Sequence, residues 1–135
     1  TYLNSPGLLD RYYRLIADDR ISFAGQMTGV EGYVESAASG FLAGVETARR
    51  LLEQDPIDFP CETAIGALGL YVGDTTVANF QPMNVNFGIM PPLGCRIKGK
   101  RNKNAELSRR SLEIIDSLRE SVLDGVKEEN HEDHH

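Results

Sequence analysis

The sequence predicts an α/β chain, mainly helical, with one or a few short strands. Three observations carry that expectation. An Ala-rich run over 33–53 holds few helix breakers apart from Gly40 and Gly44. Between about 104 and 125, Leu107, Leu112, Ile114, Ile115, Leu118 and Val122 recur near i, i+3/i+4 spacing, with Val126 continuing the pattern. Ile21-Ser22-Phe23-Ala24 is a short apolar run bounded by Gly25, and reads as a strand. The whole chain is 135 residues with 41% hydrophobic content, the size of one domain and enough to build a core.

Taken in order, residues 1–20 read as irregular. Asn4-Ser5-Pro6-Gly7 is turn chemistry. Leu8, Leu9, Tyr12, Tyr13, Leu15 and Ile16 follow at loosely helical spacing up to Asp18-Asp19-Arg20. The strand over 21–24 has no evident partner, so exposed apolar surface or self-association of the chain is expected. Asp55-Pro56 stops the first helix, whose Arg49 and Arg50 suit its C-terminal dipole. A shorter helix is expected near 62–72, ended by Gly73-Asp74. Prolines at 82, 91 and 92 favour extended or loop backbone over 80–93. Residues 96–104 are basic. The third helix gives way to a polar tail over 126–135, expected to be disordered. The chain opens on Thr1, and a processed or truncated product of something larger is expected.

Composition excludes several function classes. No run approaches a membrane span, and no basic and apolar leader opens these residues, so a soluble, cytoplasmic protein without a membrane partner is expected. Net charge is −6, which argues against a dedicated nucleic-acid module but not against a local basic patch. Cys61 and Cys95 lie far apart, with no C-x-x-C, so neither a disulfide scaffold nor a zinc ribbon is indicated. Both cysteines read as structural or inert. His131, His134 and His135 all fall in the tail, which leaves no histidine for a Ser-His-Asp or Cys-His arrangement. No metal site is expected.

A strand, a glycine turn and a helix start are the physical recipe for holding a phosphate or a polar ring edge. Unpaired N–H groups of the first helical turn and the helix dipole both face the ligand. Gly25, Gly29 and Gly32 would let backbone approach it without Cβ atoms in the way. The spacing is not G-x-G-x-x-G. On spacing alone, a tight turn packed on a sheet and a ligand site both stay open.

The wider string narrows this. FAGQMTGVEGYVESAASGFLAG (23–44) resembles the C-terminal flavin-binding motif of the folate-dependent, FADH2-oxidising methylenetetrahydrofolate–tRNA-(uracil-5-)-methyltransferases, relatives of the GidA-type tRNA-modifying flavoproteins. TYLNSP (1–6), ETAIGALGLYV (62–72) and FQPMNVNFGIMPPL (80–93) resemble further segments of that family in the same order. The likeness covers about residues 1–120, and Gly29-Val30-Glu31-Gly32-Tyr33 favours the methyltransferase branch.

The resemblance implies that residues 1–125 are the C-terminal part of a Rossmann-type FAD-binding domain. The single strand would join a parallel sheet whose other strands lie in an N-terminal remainder of the same enzyme. That remainder would also carry the catalytic cysteines, and the fragment alone is expected to be inactive. The whole enzyme would form 5-methyluridine in the T-loop of tRNA. Methylenetetrahydrofolate would supply the methylene, FADH2 the electrons, and NAD(P)H would serve as the reductant. By resemblance, Gly25, Gln26, Thr28, Gly29 and Val30 bind FAD, with backbone donors near Gly29 and Val30 facing the reduced ring. Tyr33 would stack on the folate pteridine, with Asn4 lining the same pocket; a packed core tyrosine is the plainer reading of Tyr33.

Glu31 and Glu35 lie four apart, and dipole compensation is preferred over acid–base work for them. Gln81, Asn84 and Asn86 suit a folate or nucleobase edge or, equally, their own loop backbone. Arg96, Lys98, Lys100, Arg101, Lys103, Arg109 and Arg110 hold 7 of the 14 basic residues, against Glu106 alone between 96 and 110. Residues 113–135 hold eight acids against Arg119 and Lys127. This segregation reads as a phosphate-backbone contact, with tRNA the polymer and Lys98, Lys100, Arg101, Lys103, Arg109 and Arg110 the contacts; a solvated face is the alternative. Two rival functions remain: a non-enzymatic tRNA-binding or interaction module, and a related flavoprotein acting on another uridine.

Overall fold

The computed structural model describes the backbone of residues 1–132 and the side chains of residues 1–125. The element order is β1 (Arg14–Leu15), β2 (Asp18–Ser22), α1 (Tyr33–Leu51), α2 (Ala64–Val72) and α3 (Lys100–Glu132). Short 3-10 turns lie at Gln26–Thr28 and Phe87–Ile89.

Of the strand expected alone at 21–24, only Ile21 and Ser22 are strand, and they end β2, the second arm of an antiparallel hairpin with Leu15 opposite Asp18 and Arg14 opposite Ser22. The loosely helical spacing before it gives no helix. Asp10 explains why. Its carboxylate accepts the N–H groups of Tyr12 at 2.8 Å and Arg14 at 3.0 Å, and pairs with Arg14 Nε at 3.0 Å. This side-chain competition for backbone donors bends the chain before a helix can nucleate. Tyr13, at φ 65° and almost wholly buried, turns inward at the bend.

α1 buries Ser39, Leu42, Ala43 and Glu46, the i, i+3, i+4, i+7 stripe of an amphipathic helix. Arg49 and Arg50 do fall in its last turn. α2 starts at Ala64 because Thr63 caps it, its hydroxyl accepting Gly66 N–H at 3.1 Å. Gly69 lets α2 approach the Asp10–Arg14 bend closely: a Cβ there would lie 2.5 Å from the Arg11 carbonyl. The core joins Leu9, Tyr13, Val30, Leu42, Leu68 and Val72 across these elements.

α3 begins at Lys100, four residues earlier than expected, so the basic segment is largely helical. It meets the body through buried Leu107, and through Arg110, whose guanidinium donates to the carbonyls of Pro91 at 2.6 Å and Pro92 at 3.3 Å. The tail expected from 126 falls on residues whose side chains, and for 133–135 whose backbone, lie outside the described residues; the α3 backbone runs on to Glu132. No helix among the described residues is long and apolar enough to cross a membrane.

Candidate functional site

The glycine turn between β2 and α1 is built by buried hydroxyls. Gly25 has φ 82° and ψ −163°, a conformation essentially reserved for glycine. Its N–H donates to Ser39 Oγ at 2.8 Å, and Ser39 donates onward to the Ser36 carbonyl at 2.7 Å. Its carbonyl accepts both the N–H and the hydroxyl of Thr28, at 3.0 and 2.7 Å. Ser5 Oγ donates to the Thr28 carbonyl at 2.6 Å, and Leu3 N–H to the Met27 carbonyl at 2.7 Å. The N-terminal segment is thereby stapled to the turn, with exposed Asn4 between the two staples.

Below the turn, Gly29 sits at φ 96° against the ring of Phe80, which a Cβ would approach to 2.3 Å. Tyr2 and Tyr71 brace that ring, with centroids 6.2 and 5.3 Å away. Met83 N–H donates to the Gly29 carbonyl at 2.9 Å, and Glu31 N–H to the Met83 carbonyl at 3.0 Å. This parallel bridge of Val30 with Met83 is why the segment after Pro82 runs extended.

The residues expected to bind flavin, Gly25, Gln26, Thr28, Gly29 and Val30, form one continuous turn, but they face different ways. Gln26 is exposed, while the side chains of Thr28 and Val30 point into the protein. The Gly29 N–H is taken by the Gln26 carbonyl at 3.0 Å. The open donors lie instead in the first turn of α1, where Gly32 is the N-cap and no side chain caps the helix. Tyr33 there is 95% exposed and Val34 75%, so Tyr33 is not a core tyrosine. Glu35 folds back so that its carboxylate overlies Gly32, the place a dipole-compensating acid occupies.

The loop amides serve the backbone. Asn84 Nδ2 donates to the Glu31 carbonyl at 2.6 Å, and Asn86 Oδ1 accepts Gly88 N–H at 2.8 Å. Cys61 is half-buried beside Glu62, and Cys95 is exposed. No metal-binding group is present among the described residues.

The basic residues divide. Lys98, Lys100, Arg101 and Lys103 are exposed around the start of α3, whose first turn holds no acid. Arg109 is exposed but paired with Glu106 at 2.8 Å and Glu113 at 2.6 Å. Arg110 is half-buried, and its guanidinium donates to the carbonyls of the proline loop.

Ser5, Ser39 and Glu46 are the residues that sequence reasoning underrated. Glu46 is buried on α1, with Oε1 accepting Ile57 N–H at 3.0 Å and Oε2 unpartnered. Desolvation pushes its carboxyl above the usual range, opposed by the Ile57 hydrogen bond and the nearby Arg49 and Arg14 charges. Nearby, Tyr12 donates to Asp58, and burial with that bond raises its hydroxyl to about 12. An apolar cavity of about 360 Å³ lies between α3 and the body, lined by Phe41, Ile57, Phe59, Ile65, Ile115 and Leu118.

Comparison with known proteins agrees with the resemblance read from the sequence. A family profile described as glucose-inhibited division protein A matches residues 1–55. The chain is 48% identical over 122 residues, 90% of its length, to a protein of Bacillus velezensis named methylenetetrahydrofolate–tRNA-(uracil-5-)-methyltransferase TrmFO. Proteins of the same name from Staphylococcus haemolyticus and Acetivibrio thermocellus are 48% identical over 90% of the chain and 54% over 85%. The chain spans only 26–28% of the length of these relatives.

Proposed function

We propose that this chain is the C-terminal part of a folate-dependent tRNA (uracil-5-)-methyltransferase of the GidA-related flavoproteins, completing the FAD-binding domain of a longer enzyme. The observation that carries the proposal is the similarity over nine-tenths of the chain to proteins of that name. The physical support is the junction of β2 with α1. An uncapped helix N-terminus stands beside a glycine turn, and an exposed tyrosine stands on the helix's first residue.

That arrangement fits the ring end of a flavin. The Gly25 corner offers open space, since a Cβ there would meet nothing within 4 Å. First-turn N–H groups would stabilise negative charge on a reduced ring, as helix N-termini do. FAD, when bound, supplies the electrons, with NAD(P)H as its proposed source. Gly25 and Gln26 would border the ring, while Thr28, Gly29 and Val30 shape the turn from beneath. Tyr33 offers a flat face for the pteridine of methylenetetrahydrofolate. Asn4, stapled to the turn through Leu3 and Ser5, would line the same side. Lys98, Lys100, Arg101 and Lys103 would meet tRNA phosphates, positioning the RNA rather than reading its bases. Arg109 would join them by exchanging its carboxylate partners. The reaction would run in the cytoplasm and place a methyl group on C5 of a T-loop uridine.

The exposed face of α1 supports the fragment reading. Tyr33, Val34, Ala37, Gly40, Phe41, Gly44, Ala48 and Leu51 are its exposed residues, and none is charged. Such a face is what the remainder of a longer chain would cover.

The test is made on the full-length parent enzyme. Purified protein should carry flavin and should form 5-methyluridine in a tRNA transcript when given methylenetetrahydrofolate and reductant. Product at a different uridine would move the chain to the sister activity. Absence of flavin, together with salt-dependent tRNA binding, would replace the enzyme reading with the binding module.

A further inference from the structure

Of the five buried polar or charged residues among those described, three surround the glycine turn. Ser5, Thr28 and Ser39 are each 0% exposed. Burying a hydroxyl is unfavourable unless it is hydrogen-bonded, and each of these directs its hydrogen bonds to turn or flanking backbone. The bonds run in series. Ser5 holds the Thr28 carbonyl, the Thr28 hydroxyl holds the Gly25 carbonyl, and the Gly25 N–H is held by Ser39. Both polar groups of Gly25 are thereby fixed, from opposite sides, by side chains eleven residues apart on a turn and a helix.

A glycine at φ 82° and ψ −163° has many alternatives when free, so something must select this one. Packing cannot, because no side chain lies within 4 Å of where a Gly25 Cβ would stand. Beside the Thr28 N–H, which the Gly25 carbonyl also accepts at 3.0 Å, the hydroxyls are what remains to select it. We infer that Ser39, through the Gly25 N–H, and Thr28, through the Gly25 carbonyl, are positioning residues that set the two peptide planes flanking Gly25, and with them the edge that the turn presents to the flavin ring. Neither hydroxyl touches the ligand. The inference rests on the flavin reading above, and gives a positioning role to Ser39 and to Thr28, which the resemblance placed as a direct contact.

The geometry makes the two hydroxyls separable from packing. Thr28→Val keeps the shape and removes the hydroxyl; Thr28→Ser keeps the hydroxyl and removes a methyl. Ser39→Ala and Ser39→Cys form the second pair, with the thiol a weak stand-in acceptor. In the full-length parent enzyme, Thr28→Val and Ser39→Ala should each weaken FAD binding about tenfold, the scale of one buried hydrogen bond. The bound flavin should lose its resolved absorption shoulders, and its midpoint potential should become more negative as donors to the reduced ring are misplaced. Thr28→Ser should restore spectrum and potential to those of the wild type.

A wild-type enzyme that binds no flavin would sink the flavin reading and this inference with it. A flavin-bearing wild type whose Thr28→Val and Ser39→Ala variants keep spectrum and potential would sink the inference alone. Equal losses in Thr28→Ser and Thr28→Val, in flavin spectrum and in flavin-free melting temperature, would reduce the position to packing and overturn it as well. That last pair of measurements also decides the case if the hydroxyl-free variants fold poorly.

Discussion

Gly25 and Gly29 both hold positive φ, yet substitution should cost different amounts at the two. At Gly25 a Cβ meets open space, so Gly25→Ala carries only the backbone penalty, roughly 1–3 kcal/mol. At Gly29 the Cβ would meet the Phe80 ring at 2.3 Å, which adds an overpacking cost of about 1–3 kcal/mol to a left-handed backbone. Urea unfolding should therefore rank Gly29→Ala as the more damaging, and Phe80→Leu combined with it should recover part of the loss; equal midpoints for the two single variants would refute the ranking. Glu46 gives a pH dependence at the same scale. Its folded carboxyl is raised by desolvation, so the native state binds the proton more readily than the unfolded chain does. Stability should then fall as pH rises from the ordinary carboxylate range through the raised folded value, and level off above it. Glu46→Gln keeps an acceptor for Ile57 N–H and removes the charge. It should be more stable than the wild type at pH 7 and lack that descending limb; unfolding curves from pH 4 to 8 would show whether it does.

Helix starts differ in a way that separates fold from function. α2 is closed by Thr63, whose hydroxyl accepts from Gly66 and donates to the Pro60 carbonyl at 2.8 Å. Thr63→Ala should cost about 1–2 kcal/mol, read as a lower unfolding midpoint. α1 has Gly32 at φ 110° and no side-chain cap. There a cap residue would collide with Glu35 and Asn84, so Gly32→Ser should fail to stabilise the helix that it formally caps. α3 starts on Lys100, Arg101 and Lys103 at its positive end, an arrangement that the macrodipole disfavours. Replacing all three by Gln should raise helix stability slightly and weaken tRNA binding. The slope of log affinity against log salt should flatten by about 0.7–0.9 for each phosphate no longer neutralised. An unchanged slope would place the RNA surface elsewhere.

At the scale of the whole molecule, the chain has a real core but an uncovered side. Leu42, Leu68 and Val72 close the interior, while Phe41 is 58% and Leu51 69% exposed on α1. Uncovered surface of that kind drives association. The 135-residue chain alone should sediment with concentration-dependent mass, and Phe41→Asp should move it toward monomer. Concentration-independent monomer for the unaltered chain would show that the α1 face needs no cover.

The helices were legible because periodicity and local stops act within a few residues: the Ala-rich run gave α1, the apolar run stopped by Gly73-Asp74 gave α2, and Leu107 to Val122 gave most of α3. The glycine turn was legible for the same reason, since Gly25, Gly29 and Gly32 are the residues that tolerate positive φ. Its exact string also carried the family resemblance. What the sequence could not disclose depended on partners distant along the chain. The strand found its partner through one Asp10 carboxylate that reorganised four residues. Asn84 suited either a ligand edge or its own loop, Arg110 read as an open basic residue and Ser39 carried no signal, yet each is bound to backbone brought near only by folding. Periodicity reports which face a residue occupies; only the folded chain decides which backbone group faces a particular hydroxyl, amide or guanidinium. In this protein those long-range hydrogen bonds set the geometry of the turn.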